Sequence, residues 1–403
     1  MWSSRPRSRW VRRPGPDILQ EANLQLPQTG YIAWRILLHE KGRNALAVCG
    51  IFVAVLMIFL QLGFYFSVPK GGMRIYDRLR FDLLMTSSAY DFQGRSYDFP
   101  RARLYLAMSL PEVESARPFY QSAASWLSPE GRLRRDVFVM GFAPQDDLFN
   151  VDEIEHQADV MERPNTVLVD RATLPMFGPQ TPGRLVEIGE HAFEIAGQYT
   201  LGTGFIGLGV VVTSDVNFKR MFPTHSLAAV NLGLIKLKPG SNPDQVALRL
   251  RELLPADTRV FTRPEIEANE VRHWSTRTAT GIIFGFGVIV SVVAGMVILY
   301  QTLATQVIRQ LPQYATLKAI GYTDAYVRNI VVALSLIMAS AAFAPAVVGS
   351  MAIYERVRAT ARLPIEMTGA RVLGVLLLAL AMSAASALFA VRILRRADPA
   401  DLF

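Results

Sequence analysis

The stretch Leu311–Gly321, LPQYATLKAIG, decides how the chain is read. It is a short helical segment stranded between two long apolar runs, one ending at Tyr300 and the next starting near Ile330. Pro312 suits a first helical turn, where its missing N–H is not needed. Gly321 suits the residue just past a helix end, where left-handed backbone is common. Tyr314, Leu317, Lys318 and Gly321 recur at helical spacing. A helix of about three turns beside a membrane is therefore expected over residues 311–321. The rest of the chain arranges what this helix touches.

The flanking runs belong to a set of four. Ala45–Val68 is apolar except for Gln61; Gly281–Tyr300 and Val372–Val391 carry no charge; Ile330–Tyr354 has none before its end and contains Pro345. Each is long enough to cross about 30 Å of hydrocarbon as a helix. A single such run would pass for a buried core helix, but four do not, in a chain of 403 residues that is 51% hydrophobic. Spans are expected at 45–68, 280–300, 330–354 and 372–391. The first starts too late, runs too long and lacks the small-residue site of a cleavable signal peptide. Gln61, the strongly polar side chain within the spans, is expected to hydrogen-bond across helices.

The formal net charge of +8 invites a nucleic-acid reading, but its placement favours a membrane. Arg5, Arg7, Arg9, Arg12, Arg13, Arg35, Lys41 and Arg43 all precede the first span. Basic residues on one flank mark a cytoplasmic end and suit anionic lipid. Both termini are then cytoplasmic, residues 69–279 and 355–371 lie on the outer side, and the 301–329 loop lies inside. The loop 355–371 runs against this rule, with Arg356, Arg358, Arg362 and Arg371. The first, strongly charged flank is given the greater weight. Residues 1–30 read as a basic disordered arm, 31–44 as an interfacial helix, and 392–403 as a cytoplasmic tail.

Residues 69–279 mix strand and helix signals, which points to an α+β domain. Thr166–Val169, Val210–Thr213, Ala229–Leu237 and Arg259–Phe261 read as strands, and Leu185–Tyr199 as two strands about a Gly189–Glu190 turn. Ser214 caps a helix running to Phe222, and Asn242–Leu254 is a second helix. Pro264–Ala279 reads as a helix continuing directly into the second span, so that domain and span would move as one stiff unit.

Catalytic signals are weak. No G-x-x-x-x-G-K-[ST] loop is present, so the chain should not hydrolyse a nucleotide by itself. Gly202, Gly204 and Gly207 match G-x-G-x-x-G, but a strand signal follows them where a dinucleotide site requires a helix. An external hairpin is the expected reading there. His39, His156, His191, His225 and His273 have no metal-site spacing. Acidic pairs such as Asp146–Asp147 fit a solvated loop. The lone cysteine, Cys49, precludes an internal disulfide. No cofactor or metal is expected on this chain.

The order of these features resembles MacB/FtsX-type permease subunits of ABC transporters. The residues carrying it are Tyr314–Gly321, YATLKAIG, with Tyr322–Asp324, and the C-terminal RRADPADLF. LPQYATLKAIGY, KGRNALAVCGIFVAVLMIFLQLGFYFSV and FPRARLYLAMSLPEVESARPFYQS are similar to the DevC-like branch. The resemblance covers nearly the whole chain after residue 30. It implies four transmembrane helices with a MacB-like periplasmic α+β domain between the first two, in a bacterial inner membrane. It implies a homodimer, a separate cytoplasmic ABC ATPase holding ATP and Mg, a HlyD-type membrane-fusion protein and a TolC-like outer-membrane channel, with no nucleic acid. The helix after the second span would be the coupling helix, with Gln313, Tyr314, Leu317, Lys318, Ile320 and Gly321 meeting the ATPase. Family members commonly have Glu where this chain has Gln313, which removes a charge-assisted contact there.

The implied mechanism is mechanical. ATP closes the ATPase dimer, the coupling helices are pushed, the second span and the domain above it tilt, and cargo leaves through a tripartite system. An alternative from another class is an FtsX-like signalling subunit that activates a periplasmic partner and moves no substrate. The size of the outer segment favours export. A receptor without an ATPase fits the coupling-helix wording least.

Overall fold

The computed structural model describes residues 35, 41–127, 134–202, 207–361 and 363–396. The basic arm and residues 31–34 and 36–40 of the expected interfacial helix lie outside these residues, and its last four, 41–44, belong to the first membrane helix. Among the described residues four helices are long and apolar enough to cross a membrane. They are α1 (Lys41–Met73), α8 (Ala279–Arg309), α10 (Asp324–Ala361) and α11 (Gly369–Arg396). All four extend beyond the expected spans. The added turns are polar or basic residues such as Lys70 and Arg309, which end a helix in water rather than in lipid.

Between α1 and α8 the chain forms β1 (Leu83–Ser87), β2 (Phe99–Pro100), α2 (Ala102–Ala107), β3 (Val113–Leu127), β4 (Arg134–Phe142), α3 (Asp152–Glu155) and α4 (Ala158–Met161). There follow β5 (Thr166–Asp170), β6 (Leu185–Ile188), β7 (His191–Tyr199), β8 (Val210–Ser214), α5 (Asp215–Met221), β9 (Ala229–Val230) and β10 (Leu232–Leu237). The segment ends with α6 (Pro243–Leu253), β11 (Thr258–Thr262) and α7 (Arg263–Thr276). Helix starts follow side-chain chemistry. Ser214 Oγ accepts from Asn217 N at 3.2 Å, and Asn242 Oδ1 accepts from Asp244 N at 2.9 Å, each satisfying a donor that the first turn leaves free.

Nine strands form one sheet in the order β11-β1-β10-β3-β4-β8-β5-β7-β6. Trp126 and Leu127 of β3 also pair with Ile188 and Glu187 of β6. This contact closes β3, β4, β8, β5, β7 and β6 into a ring, and β10, β1 and β11 continue from β3 as an open flange. Alternate residues feed two cores. Leu83 and Met85 of β1 belong to one cluster, with Tyr120, Trp126 and Phe193. Leu84 joins the other, with Tyr76, Phe119 and Phe142. With both faces covered, β1 is buried along its whole length, as expected of a central strand.

Three expectations change here. The strands flanking the Gly202–Gly207 stretch, β7 and β8, do not pair as a hairpin's would; β5 lies between them. Ala229–Leu237 divides in two, β9 pairing with β2 and β10 with β1 and β3. The passage from α7 into α8 is interrupted at Arg277–Thr278. There Thr278 Oγ1 accepts from Gly281 N at 3.1 Å and donates to Trp274 O at 2.7 Å. That hydroxyl begins a new helix, and Gly281 permits it, since a Cβ there would lie 2.0 Å from Trp274 O.

The chain divides into two compact units. The sheet unit holds residues 61–288 and 352–367. The helical unit holds α1 up to Leu60, α8 from Ile289, α10 up to Met351, and α11 with the short helix α9 (Leu311–Ala319). Within the sheet unit, Gln61 faces Gly287, where a Cβ would sit 2.4 Å from its Oε1. That oxygen is buried without a hydrogen-bond partner, so the interhelical bond expected of it is not made. The residue across from it offers no side chain.

Candidate functional site: a helix seated on the membrane bundle

Helix α9 follows α8 after one residue, Gln310, and ends in a turn set by Gly321. Gly321 adopts φ +108°, and Tyr322 N donates to Leu317 O at 3.1 Å. This is the bond by which a left-handed residue satisfies a carbonyl of the last helical turn. Thr323 Oγ1 then accepts from Tyr326 N at 3.4 Å at the start of α10.

Tyr314 is 2% exposed. It packs in a cluster with Leu303, Ala304 and Val307 of α8, Val327 and Val331 of α10, and Ala387, Ala390 and Val391 of α11. Its hydroxyl donates to Gln310 Oε1 at 2.6 Å, and burial pushes its ionisation well above the usual phenol value. Leu311 and Leu317 are half-buried against the same cluster. The expectation that Tyr314 is presented to a partner is therefore corrected. An apolar stripe on a short helix has one partner to choose, and here its own bundle takes it, so Tyr314 fixes the helix in place.

The opposite face is free. Pro312, Gln313, Thr316 and Gly321 are exposed, Ile320 is 70% exposed and Tyr322 is 42% exposed. Tyr322 stacks on Tyr326 with ring centroids 4.6 Å apart, so it extends the face as a fixed aromatic. Of the expected contact residues, Gln313, Ile320 and Gly321 share this surface, Tyr314 does not, and Leu317 lies between. The side chain of Lys318 is outside the described residues. Tyr322 was missed; its exposure depends on the turn at Gly321, which helical spacing does not report. Among the described residues no group of three or more His, Cys, Asp or Glu side chains is placed to hold a metal ion. The geometry offers a short helix anchored on one side and exposed on the other.

Comparison with known proteins agrees with this layout. The MacB-like periplasmic core domain model matches residues 45–253, and the FtsX-like permease C-terminal model matches residues 285–399. Among solved structures, the periplasmic region of MacB from Actinobacillus actinomycetemcomitans is 12% identical, at TM-score 0.34, over 46% of this chain and 90% of that one. The extracellular domain of the noncanonic ABC-type transporter YknZ from Gram-positive bacteria is 12% identical, at TM-score 0.33, over 45% and 99%. A permease-protein domain from Porphyromonas gingivalis is 14% identical, at TM-score 0.33, over 46% and 89%. Functionally curated proteins give no match. With one family model spanning more than half of the chain and the other covering its C-terminal helices, the chain belongs to the MacB/FtsX-type permeases of ABC transporters.

Proposed function

We propose that this permease transmits force from a separate cytoplasmic ATPase to the sheet unit, and that α9 is the helix the ATPase pushes. The observation that carries this reading is the division of α9 and the turn after it into a buried anchor, Tyr314, and an exposed face of Gln313, Thr316, Ile320 and Tyr322. A helix that must pass on a displacement needs both. The seat couples it at once to α8, α10 and α11. Packed side chains of this kind move as a body rather than deforming. ATP and Mg belong to the partner, and this chain contributes no catalytic group.

The DevC-like wording of the sequence supports export through a homodimer with a HlyD-type membrane-fusion protein and a TolC-like channel. Activation of an outer-compartment enzyme without transport is the competing role, and the extent of the sheet unit favours export over it. The chain would lie in a bacterial inner membrane with both termini in the cytoplasm.

The test is Ile320→Asp in the full chain, co-expressed with its ATPase. Ile320 has no packing role in its own subunit, so folding and dimerisation should be unchanged. An apolar anchor of an interface is worth about 2 kcal/mol, and its loss weakens binding roughly thirtyfold, so the ATPase should no longer co-purify. Retention of the ATPase with normal ATP-driven function would overturn the assignment.

A further inference from the structure

Within the sheet unit a carboxyl group is sealed from water. Glu270 on α7 is fully buried. Tyr90 Oη donates to its Oε1 at 2.5 Å, Gln93 N donates to the same oxygen at 3.1 Å, and Trp274 Nε1 donates to Oε2 at 3.2 Å. Tyr90 Oη is in turn 2.6 Å from Tyr76 Oη, in the turn just after α1. The carboxyl thus joins α7 to the loop 88–97 and, through Tyr90, to the turn after α1. Among the described residues no Lys, Arg or His side chain pairs with it. A carboxylate without a cation in such a place is costly to bury.

The loop closing this site is itself under-satisfied. Both side-chain polar atoms of Gln93, and Oε1 of Gln121 beneath it, are buried without hydrogen-bond partners. Opening would return these groups to water, which lowers the cost of opening the loop. A cavity of about 460 Å³ lined by Phe92, Arg95, Gln121 and Trp274 lies against the same loop, so water is near.

We propose that Glu270 is a proton-binding latch: a proton on its carboxyl keeps the loop 88–97 closed over α7, and loss of that proton releases it. The direction follows from linkage. Burial, first of all, raises the pKa of the closed site from 4.5 to about 7, against the hydrogen bonds from Tyr90, Trp274 and Gln93 that lower it. A hydrated, open site has the ordinary lower value. The closed form therefore holds the proton more tightly; closure is favoured below the ordinary value and lost as pH rises through about 7. The other titratable groups facing the site are Tyr76 after α1, Tyr90 and Asp91 on the loop, and His273 on α7. Asp91, which adds repulsion, lies 3.1 Å from Arg277 Nη1 and 3.4 Å from His273 Nδ1. The latch needs no ATPase, and only its bearing on transport rests on the function proposed above.

Hydrogen exchange of the full chain in lipid nanodiscs, without ATPase, tests it between pH 5.5 and pH 8.5. After correction for intrinsic exchange, protection of the 88–97 peptide should fall by up to about tenfold per pH unit as the site deprotonates. Glu270→Gln holds the group neutral and should give a flat, protected profile. His273→Asn should keep the wild-type midpoint. Tyr90→Phe removes a donor that favours the anion and should raise the midpoint, and it decides the matter if Glu270→Gln does not fold. A flat wild-type profile, a Glu270→Gln profile parallel to wild type, a midpoint that moves with His273→Asn, or one unmoved by Tyr90→Phe would each overturn the proposal.

Discussion

Gly72 and Trp274 are in direct contact: a Cβ on Gly72 would lie 2.1 Å from Trp274 Nε1. The last turn of α1 and the last turn of α7 meet through a residue that must lack a side chain. The indole cannot step aside, because Phe92 packs edge-on against it at 5.7 Å and its N–H is bonded to Glu270. Gly72→Leu should therefore destabilise the protein by about 1–3 kcal/mol, although replacing a helical glycine elsewhere usually gains stability. Gly374→Ala in α11, where a Cβ meets nothing within 4 Å, serves as the control and should be neutral or stabilising. Thermal unfolding in detergent measures both. Equal midpoints would show that the contact is not restrictive.

Tyr314 and Ile320 separate two effects. Tyr314→Ala empties an aromatic site in the α8–α10–α11 cluster and should cost about 3 kcal/mol or more, seen as a lower unfolding temperature of the chain alone. Tyr314→Phe loses only the bond to Gln310 and should cost about 1 kcal/mol. Ile320→Asp should leave the unfolding temperature unchanged. A thermally silent Tyr314→Ala would contradict the buried seat.

Arg251 guards the open edge of the sheet. Its Nε and Nη2 donate to Val260 O at 3.0 and 2.7 Å, on the side of β11 away from β1. An unpaired edge invites pairing with another chain. Arg251→Ala should lower stability by about 1 kcal/mol but raise the oligomeric fraction after mild heating, read by light scattering. A scattering profile matching wild type would mean that the edge is protected by other means.

Topology is tested by thiol labelling in a Cys49→Ser background. Ser241→Cys, in the turn before α6, should react with an impermeant reagent on cells whose outer membrane has been permeabilised. Thr316→Cys, on the exposed face of α9, should react only after lysis. The reverse pattern would invert the orientation and detach α9 from any cytoplasmic partner.

Much of the fold was legible where local chemistry is strong. TVLVD and VVVTS have the β-branched residues of buried strands, and Ser214 and Asn242 announce helix starts by side chains that cap them. Strands β3 and β4 were not legible. β3 carries Glu114, Arg117, Pro118 and Gln121, and its order comes from partners far along the chain: Ala116 pairs with Ile235 and Trp126 with Ile188. The site was half legible. Spacing groups Tyr314 with Leu317 on one side of a helix, but it does not say whether that side faces a neighbouring chain or the helix's own bundle. The same limit hid the break at Thr278, which depends on a hydroxyl taking one N–H out of an otherwise helical pattern.

The position of β1 bears on how the protein is made. This strand is synthesised directly after the first span, yet its partners are Leu232–Ile235 and Thr258–Thr262. During synthesis LLMTS must wait with both edges bare until almost everything up to the second span has been produced. At 5–20 residues per second, translation alone takes about ten seconds or more to supply them. For that interval the nascent chain displays an unpaired strand that opens on Leu83, Leu84 and Met85, the sort of segment that aggregates, and a holdase acting beside the translocation channel would find its binding site there.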